Sequence, residues 1–391
     1  MIEFEQEKQE QAIPLVSIKV IGVGGAGGNT VNSIIDSGYQ AIECIVANTD
    51  AQALNLSRAN HKIQLGIKST KGLGTGANPA LGKRAAEEDL DKILEVVGNA
   101  DMVFLTGGMG GGTGSGALPV IAHLLREQGV LTVAVVTRPF LFEGKKRARV
   151  ADEALALLKK EVDTLIVVPN QKLLDVVDRR VSMMDAFAMI NDVLRQSVTG
   201  ISEIITKPGH INVDFADVKA VMKDMGLAIM GTARATGENR AREAAMQAVS
   251  SPVLENMSIK GARGVLLNIT GGHDLALHEM SDAASVIYEQ VDEDANIILG
   301  SVVDGAMQGE VIVTVIATGF EARQSVSPAH KAEEVHVKAA EPAEDVLMMA
   351  EKKAATLKDE LEAAHEAPLV DSDDLDVPAF MRKENLEQAD K

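Results

Sequence analysis

Apolar residues between positions 17 and 168 alternate between two spacings. Unbroken runs at 17–23, 43–47, 101–106, 130–137 and 164–168 are rich in Val, Ile and Leu and too short for helices, so they read as buried strands. Between them the spacing becomes helical. Val31, Ile34 and Ile35 share one face, and residues 118–128 and 149–161 carry helical patterns after the third and fourth strands. Glycines stand at the strand ends. This alternation predicts an α/β fold with a doubly wound, mainly parallel sheet over residues 15–181.

The pattern then changes. Ser182-x-x-Asp185 has the form of a capping box, and Phe187, Ile190, Leu194, Ile201 and Ile205 continue as one apolar stripe until Pro208-Gly209 stop it. One helix over 182–208 would make about seven turns, a length suited to a spine between two domains. Beyond it, helices at 217–225 and 239–249 precede a strand at 264–269. A helix at 275–291 and strands at 296–303 and 311–318 follow. Residues 209–320 therefore read as a smaller α+β domain. Residues 1–14 read as a flexible charged tail, and 321–370 as a linker poor in large apolar residues. Within the linker, Val346, Met349, Ala350, Ala354, Leu357 and Leu361 predict an amphipathic helix over 342–365. Residues 371–391 hold an apolar cluster next to basic residues, outside either domain.

Charge and composition remove several functions. The 391 residues carry 38 Lys+Arg against 57 Asp+Glu, a net −19, and 18 acidic and 9 basic residues beyond position 320 account for −9 of it. An acidic chain with 3% aromatics has neither a basic surface for duplexes nor a platform for stacking bases, so no nucleic-acid partner is expected. A lone cysteine, Cys44, excludes a disulfide-stapled fold. No apolar run nears the roughly 18 residues of a spanning helix, and the acidic N-terminus is unlike a signal peptide. The expectation is a soluble cytoplasmic protein without direct membrane insertion. No histidine pair has metal-ligand spacing, so no protein-built metal site is expected.

The candidate chemistry lies in the glycines. Gly22-x-Gly24-x-x-Gly27 follows the first strand, where glycine lets backbone N–H groups approach a phosphate at the start of a helix. With Glu43 about 20 residues on, the segment fits an NAD-dependent Rossmann oxidoreductase as well as a simple tight turn. The second cluster, Gly107-Gly-Met-Gly-Gly-Gly-Thr-Gly-Ser-Gly116, has seven glycines and two hydroxyls, more than a dinucleotide loop needs. It could wrap a polyphosphate with N–H donors while Thr113 and Ser115 bond its oxygens. No Walker A motif is present; the nearest segment, 76–84, has Arg84 where a magnesium-binding hydroxyl belongs. Asp214 and Asp217 read either as an N-cap with a first-turn acid or as a pair polarising water for attack on a phosphoanhydride.

Several motifs in fixed order carry a resemblance. They are the first glycine loop ending at Asn29, Asn48-Thr-Asp50, Gly72-x-Gly74-x-Gly76-Ala-Asn-Pro79, Gly110-Gly-Gly-Thr-Gly-Ser-Gly116, Pro139-x-x-x-Glu143-Gly-Lys-Lys-Arg147, Val168-Pro-Asn170 and residues 212–218. From 17 to 320 the chain resembles the FtsZ family, bacterial cell-division relatives of tubulin. The resemblance implies a tubulin-like fold: a GTP-binding domain (15–181), a central helix (182–208) and a GTPase-activating domain (209–320). It implies that GTP and GDP contact Gly25, Ala26, Gly27, Gly28, Asn29, Asn48, Asp50, Gly76, Gly108, Gly111, Gly112, Thr113, Gly114 and Ser115 at the phosphate end. Glu143 and Arg147 would lie on the ribose side, with Asn170, Phe187, Asn191 and Asp192 around the base. Mg2+ would be held mainly through phosphates and water. Asn212, Asp214 and Asp217 would serve the γ-phosphate of the next subunit in a head-to-tail homopolymer forming the division ring. Pro378, Phe380, Met381 and Arg382 would dock division proteins such as FtsA-like membrane tethers.

Overall fold

The computed structural model describes residues 16–174, 177–178, 180–207, 209, 211–251 and 259–320. The tails, the predicted linker helix at 342–365 and the C-terminal peptide lie outside them. The first half runs β1 (Ile18–Val23), α1 (Gly24–Asp36), β2 (Glu43–Asn48), α2 (Ala51–Leu56), β3 (His61–Gln64), α3 (Ile67–Thr70), α4 (Pro79–Glu87), α5 (Leu90–Val97), β4 (Met102–Gly108), α6 (Thr113–Glu127), β5 (Leu131–Arg138), α7 (Lys145–Glu161), β6 (Thr164–Pro169) and α8 (Asn170–Leu174). Then come α9 (Met183–Thr206), α10 (Phe215–Met222), β7 (Gly226–Thr236), α11 (Arg240–Val249), β8 (Gly264–Gly271), α12 (Leu277–Tyr288), β9 (Asn296–Val303) and β10 (Glu310–Thr318).

The strands lie in the order β3-β2-β1-β4-β5-β6-β7-β10-β8-β9. Pairing is parallel from β3 to β6, as the strand–helix alternation predicts. The strands alternate their side chains between two apolar layers. Val20, Phe104 and Val135 face α1 and α9, whereas Ile21, Leu105 and Val136 face α6 and α7. Burying a side chain such as Phe104 contributes about 1.5–3 kcal/mol. The central helix α9 starts as its sequence suggests: Ser182 Oγ accepts the Asp185 N–H at 3.1 Å.

β7 joins the two halves. Its first three residues pair in parallel with β6, and its remainder pairs antiparallel with β10. The sequence pattern does not predict this strand, and the packing explains why. The alanine-rich face of α11 (Ala241, Ala244, Ala245, Ala248) lies flat on it, so close that a Cβ on Gly231 would sit 1.9 Å from the Ala248 carbonyl oxygen. Such an approach demands small residues, which carry little strand propensity. β3 and helices α2 to α5 are not among the predicted elements either. α6 begins at Thr113 rather than at 118, so the second glycine cluster supplies its first turn.

Cys44 lies on β2, 4% exposed, and burial followed by the neighbouring Glu43 carboxylate pushes its thiol up to about 11. A thiol reagent at pH 8 is therefore expected to label the native protein far more slowly than the urea-unfolded chain. Rapid stoichiometric labelling of native protein would contradict this packing.

Candidate functional site

β1 and β4 are adjacent, yet the chain leaves β1 toward β2 and β3 and leaves β4 toward β5 and β6. This is the switch point of an open α/β sheet, where a crevice forms beyond the strand ends. A cavity of about 490 Å³ lies there. The first turns of α1 and α6 both border it. Neither helix has a side-chain cap or an acidic residue in its first turn, so both present uncapped N–H groups and a positive end. That arrangement favours an anion.

The two loops cross at backbone contact. A Cβ on Gly27 would sit 2.5 Å from the Thr106 carbonyl oxygen, and one on Gly114 would sit 2.4 Å from that of Gly108. A Cβ on Gly112 would meet the Thr75 hydroxyl as closely, at 2.2 Å, and one on Gly116 would meet the Pro79 carbonyl oxygen at 2.1 Å. Most glycines of the second cluster thus permit packing. Gly25 and Gly111 differ, because a Cβ at either would have no heavy atom within 4 Å.

Of the residues singled out in the sequence, Gly25, Ala26, Asn29, Gly108, Gly111, Gly112, Thr113, Gly114, Glu143, Arg147, Asn170, Phe187 and Asn191 line the cavity together. Seven others that the resemblance assigns to the nucleotide stand outside its lining. Gly27 and Gly28 are turned toward the sheet. Ser115 Oγ accepts the Gly110 N–H at 2.9 Å, which shapes the loop from behind. Asn48 Oδ1 accepts the Asp50 N–H at 3.2 Å, and Asp50 caps α2. Gly76 turns the chain with φ +56°, and Asp192 pairs with Arg195 at 3.3 Å.

Sequence reasoning missed the Thr49–Thr113 and Thr75–Thr113 hydroxyl contacts, at 2.7 and 3.3 Å. They tie the start of α6 to two neighbouring loops, and the succession of Asn48-Thr-Asp50 and the Gly72 segment was their only trace. At the other end, Phe187 meets Phe140 edge-to-face at 5.6 Å, and Phe140 stacks on Phe142 at 4.8 Å. Glu143 pairs with Arg147 and accepts the Phe140 N–H at 3.0 Å. Asn170 is 5% exposed and its Oδ1 has no hydrogen-bond partner in the protein. A buried, unsatisfied acceptor bordering a cavity is suited to a ligand donor.

Glu43 is misplaced for dinucleotide binding. It begins β2, pairs with Lys19 at 2.9 Å and His61 at 3.0 Å, and lies at the opposite strand end from the glycine loop. A ribose-binding acid belongs at the end where the loop sits. Asn212, Asp214 and Asp217 do not line the cavity either. Asp214 caps α10, accepting the Asp217 N–H at 2.8 Å, and Asn212 Oδ1 accepts the Gly209 N–H at 2.8 Å. Gly300 packs between Ile204 and Val213, which holds this segment beside the end of α9. Thirteen residues of helix separate Ile204 from Asn191, about 20 Å.

Two family models match the chain. The tubulin/FtsZ family GTPase domain covers residues 17–178, and the FtsZ family C-terminal domain covers 226–321. An FtsZ dimer of M. jannaschii is 43% identical over 79% of this chain and 89% of that one, with a TM-score of 0.75. A mutant of the same FtsZ gives 0.76 at the same identity, over 79% of this chain and 92% of that one. The chain belongs to the FtsZ family. CetZ2 of Haloferax volcanii, solved as a GTPγS-bound protofilament, shares the fold at 21% identity, over 80% of this chain and 96% of that one, with a TM-score of 0.68. As an FtsZ-family member the protein is a GTPase, and the oxidoreductase alternative has no support.

Gly111 and Gly114 are expected to behave differently in this FtsZ-family site. Gly114→Ala forces a methyl against the Gly108 carbonyl and should destabilise the fold by about 1–3 kcal/mol in urea unfolding. Gly111→Ala has room, and should unfold like wild type yet bind GTP more weakly in a titration because the methyl enters the cavity. Equal stability of the two variants would contradict the packing described.

Proposed function

We propose that this protein assembles head to tail into filaments and hydrolyses GTP at the interfaces between subunits. The observation that carries this reading is the separation of the cavity from Asp214. The cavity reaches along α9 as far as Leu194, whereas the Asp214 segment packs beside Ile204, ten helical residues or about 15 Å further on. A subunit's own carboxylates would then stand away from its own nucleotide. Translating a second copy along α9 would bring them to the neighbour's cavity, and such a heterologous contact repeats without closing.

In this reading the N-terminal turns of α1 and α6, with Gly25, Ala26, Asn29 and residues 111–114, hold the phosphates. Glu143 and Arg147 meet the ribose, and Phe187 supplies a partly exposed ring for the base. Asn191 and the unsatisfied Asn170 Oδ1 bond the edges of guanine. Asp214 and Asp217 of the adjoining subunit orient the attacking water and take its proton. The lining suits magnesium held through phosphate oxygens and water: its only carboxylate among the described residues, Glu143, is engaged by Arg147 and the Phe140 N–H. Bound there, the ion would neutralise phosphate charge. The filaments would form the division ring on the inner face of the membrane. Residues 371–391 would bind division proteins of the FtsA-like tether type through Pro378, Phe380, Met381 and Arg382.

Asp214→Asn tests the shared site better than alanine. Asparagine preserves the cap on α10, whereas alanine would also remove a helix cap typically worth about 1 kcal/mol. Wild-type phosphate release per subunit should rise above a threshold protein concentration. Asp214→Asn should bind GTP normally, turn over about 10²-fold more slowly, and depress the turnover of wild type when mixed with it. Specific activity independent of concentration, or a fully active Asp214→Asn, would sink the proposal.

A further inference from the structure

The far ends of α1 and α9 are fastened by one side chain. Gly38, with φ +74°, turns the chain after α1 and delivers Tyr39 onto the last turn of α9. The Tyr39 hydroxyl lies 3.1 Å from both Ser202 Oγ and Thr206 Oγ1. The Lys207 ammonium sits over its ring, 5.6 Å from the centroid, and pairs with Glu203 at 2.8 Å. The ring and the hydroxyl therefore grip the same helix end in two different ways.

Little slack separates this grip from Asp214. Lys207 caps the C-terminus of α9. Two residues later the Gly209 N–H donates to Asn212 Oδ1, and the Ile211 N–H donates to Ser301 Oγ at 2.9 Å. Gly209 itself is pressed onto the Ser301 carbonyl, where a Cβ would lie 1.5 Å from the oxygen. At their other ends both helices border the cavity, α1 through Gly25, Ala26 and Asn29 and α9 through Phe187 and Asn191. Tyr39 thus ties the two cavity-lining helices together at the end where the Asp214 segment begins.

We infer that Tyr39 is a positioning residue for GTP hydrolysis: by holding the last turn of α9 against α1, it sets where Asn212, Asp214 and Asp217 stand relative to the nucleotide loops. The inference rests on the shared-site reading above. In a filament, the spacing between a subunit's own cavity and its own Asp214 determines where that carboxylate meets the next nucleotide. Letting the last turn of α9 move off α1 by about 1 Å would displace it by as much, a misplacement that can lower turnover about 10²-fold. Nucleotide binding would be little affected, because the core-held stretch of α9 from Ile190 to Ile201 separates its last turn from Phe187 and Asn191.

Three full-length variants separate positioning from mere packing. Tyr39→Phe keeps the ring beneath Lys207 and loses the hydroxyl, Thr206→Val removes one hydroxyl partner at nearly constant shape, and Tyr39→Ala removes both grips. GTP affinity and KM should stay within about twofold of wild type in all three. Phosphate release per sedimented subunit at saturating GTP should fall about tenfold or more in Tyr39→Ala, with Tyr39→Phe and Thr206→Val intermediate. Wild-type release per polymerised subunit in all three, whatever their melting temperatures, would overturn the inference. So would a fall matched by an equal loss of GTP affinity. If Tyr39→Ala does not fold, the other two variants decide by the same criteria. A wild-type protein without a concentration threshold would instead remove the shared-site reading itself.

Discussion

The contact on which the site depends is a crossing of two backbones where no side chain fits. β1 and β4 are neighbouring parallel strands, about 4.8 Å apart, and the loops leaving them must pass side by side. Gly27 against Thr106 and Gly114 against Gly108 make that passage possible. One result is electrostatic. Two helix N-termini, each equivalent to roughly half a positive charge, face one cavity without an acidic residue in either first turn. Like-signed ends held together are unfavourable until an anion lies between them. The fold therefore favours an anion before any individual side chain is considered.

The second constraint is the length of α9. Its apolar stripe (Ile190, Leu194, Val198, Ile201) is buried under the sheet, so the helix is held in place by the core. A rigid rod of 24 residues keeps its ends about 36 Å apart. One end contributes Phe187 and Asn191 to the cavity, and the other leads into the Asp214 segment. Core packing thus sets how far the Asp214 segment stands from the cavity.

Much of this was legible in the sequence because burial and spacing agree there. Strands β4 and β5 are unbroken apolar runs buried on both faces, and α9 carries its cap and its stripe. β7 was not legible, because Gly231 and its small neighbours are chosen for contact with α11 rather than for strand propensity. The glycine clusters were legible as a site but their residue roles were not. Spacing alone cannot separate Gly111, which is open to the cavity, from Gly114, which meets a carbonyl. Nor could it show that the Ser115 hydroxyl is turned inward to Gly110. Glu43 misled for a related reason: a sequence distance of about 20 residues does not say at which end of the strand a residue lies.

Asp214 stands at the start of a helix that is fixed at both ends. Its Oδ1 caps α10, which fixes the carboxylate relative to the helix and leaves its other oxygen outside the cap. The opposite end of α10 is anchored by two hydroxyls, Thr164 Oγ1 donating to the Met222 carbonyl at 2.5 Å and Thr318 Oγ1 to the Val221 carbonyl at 2.7 Å. Thr164 belongs to β6 and Thr318 to β10, so each half of the sheet holds the helix. These bonds satisfy C-terminal carbonyls that a short helix would otherwise leave unpaired. The N-terminus, with Asp214 and Asp217, then projects from a doubly anchored base.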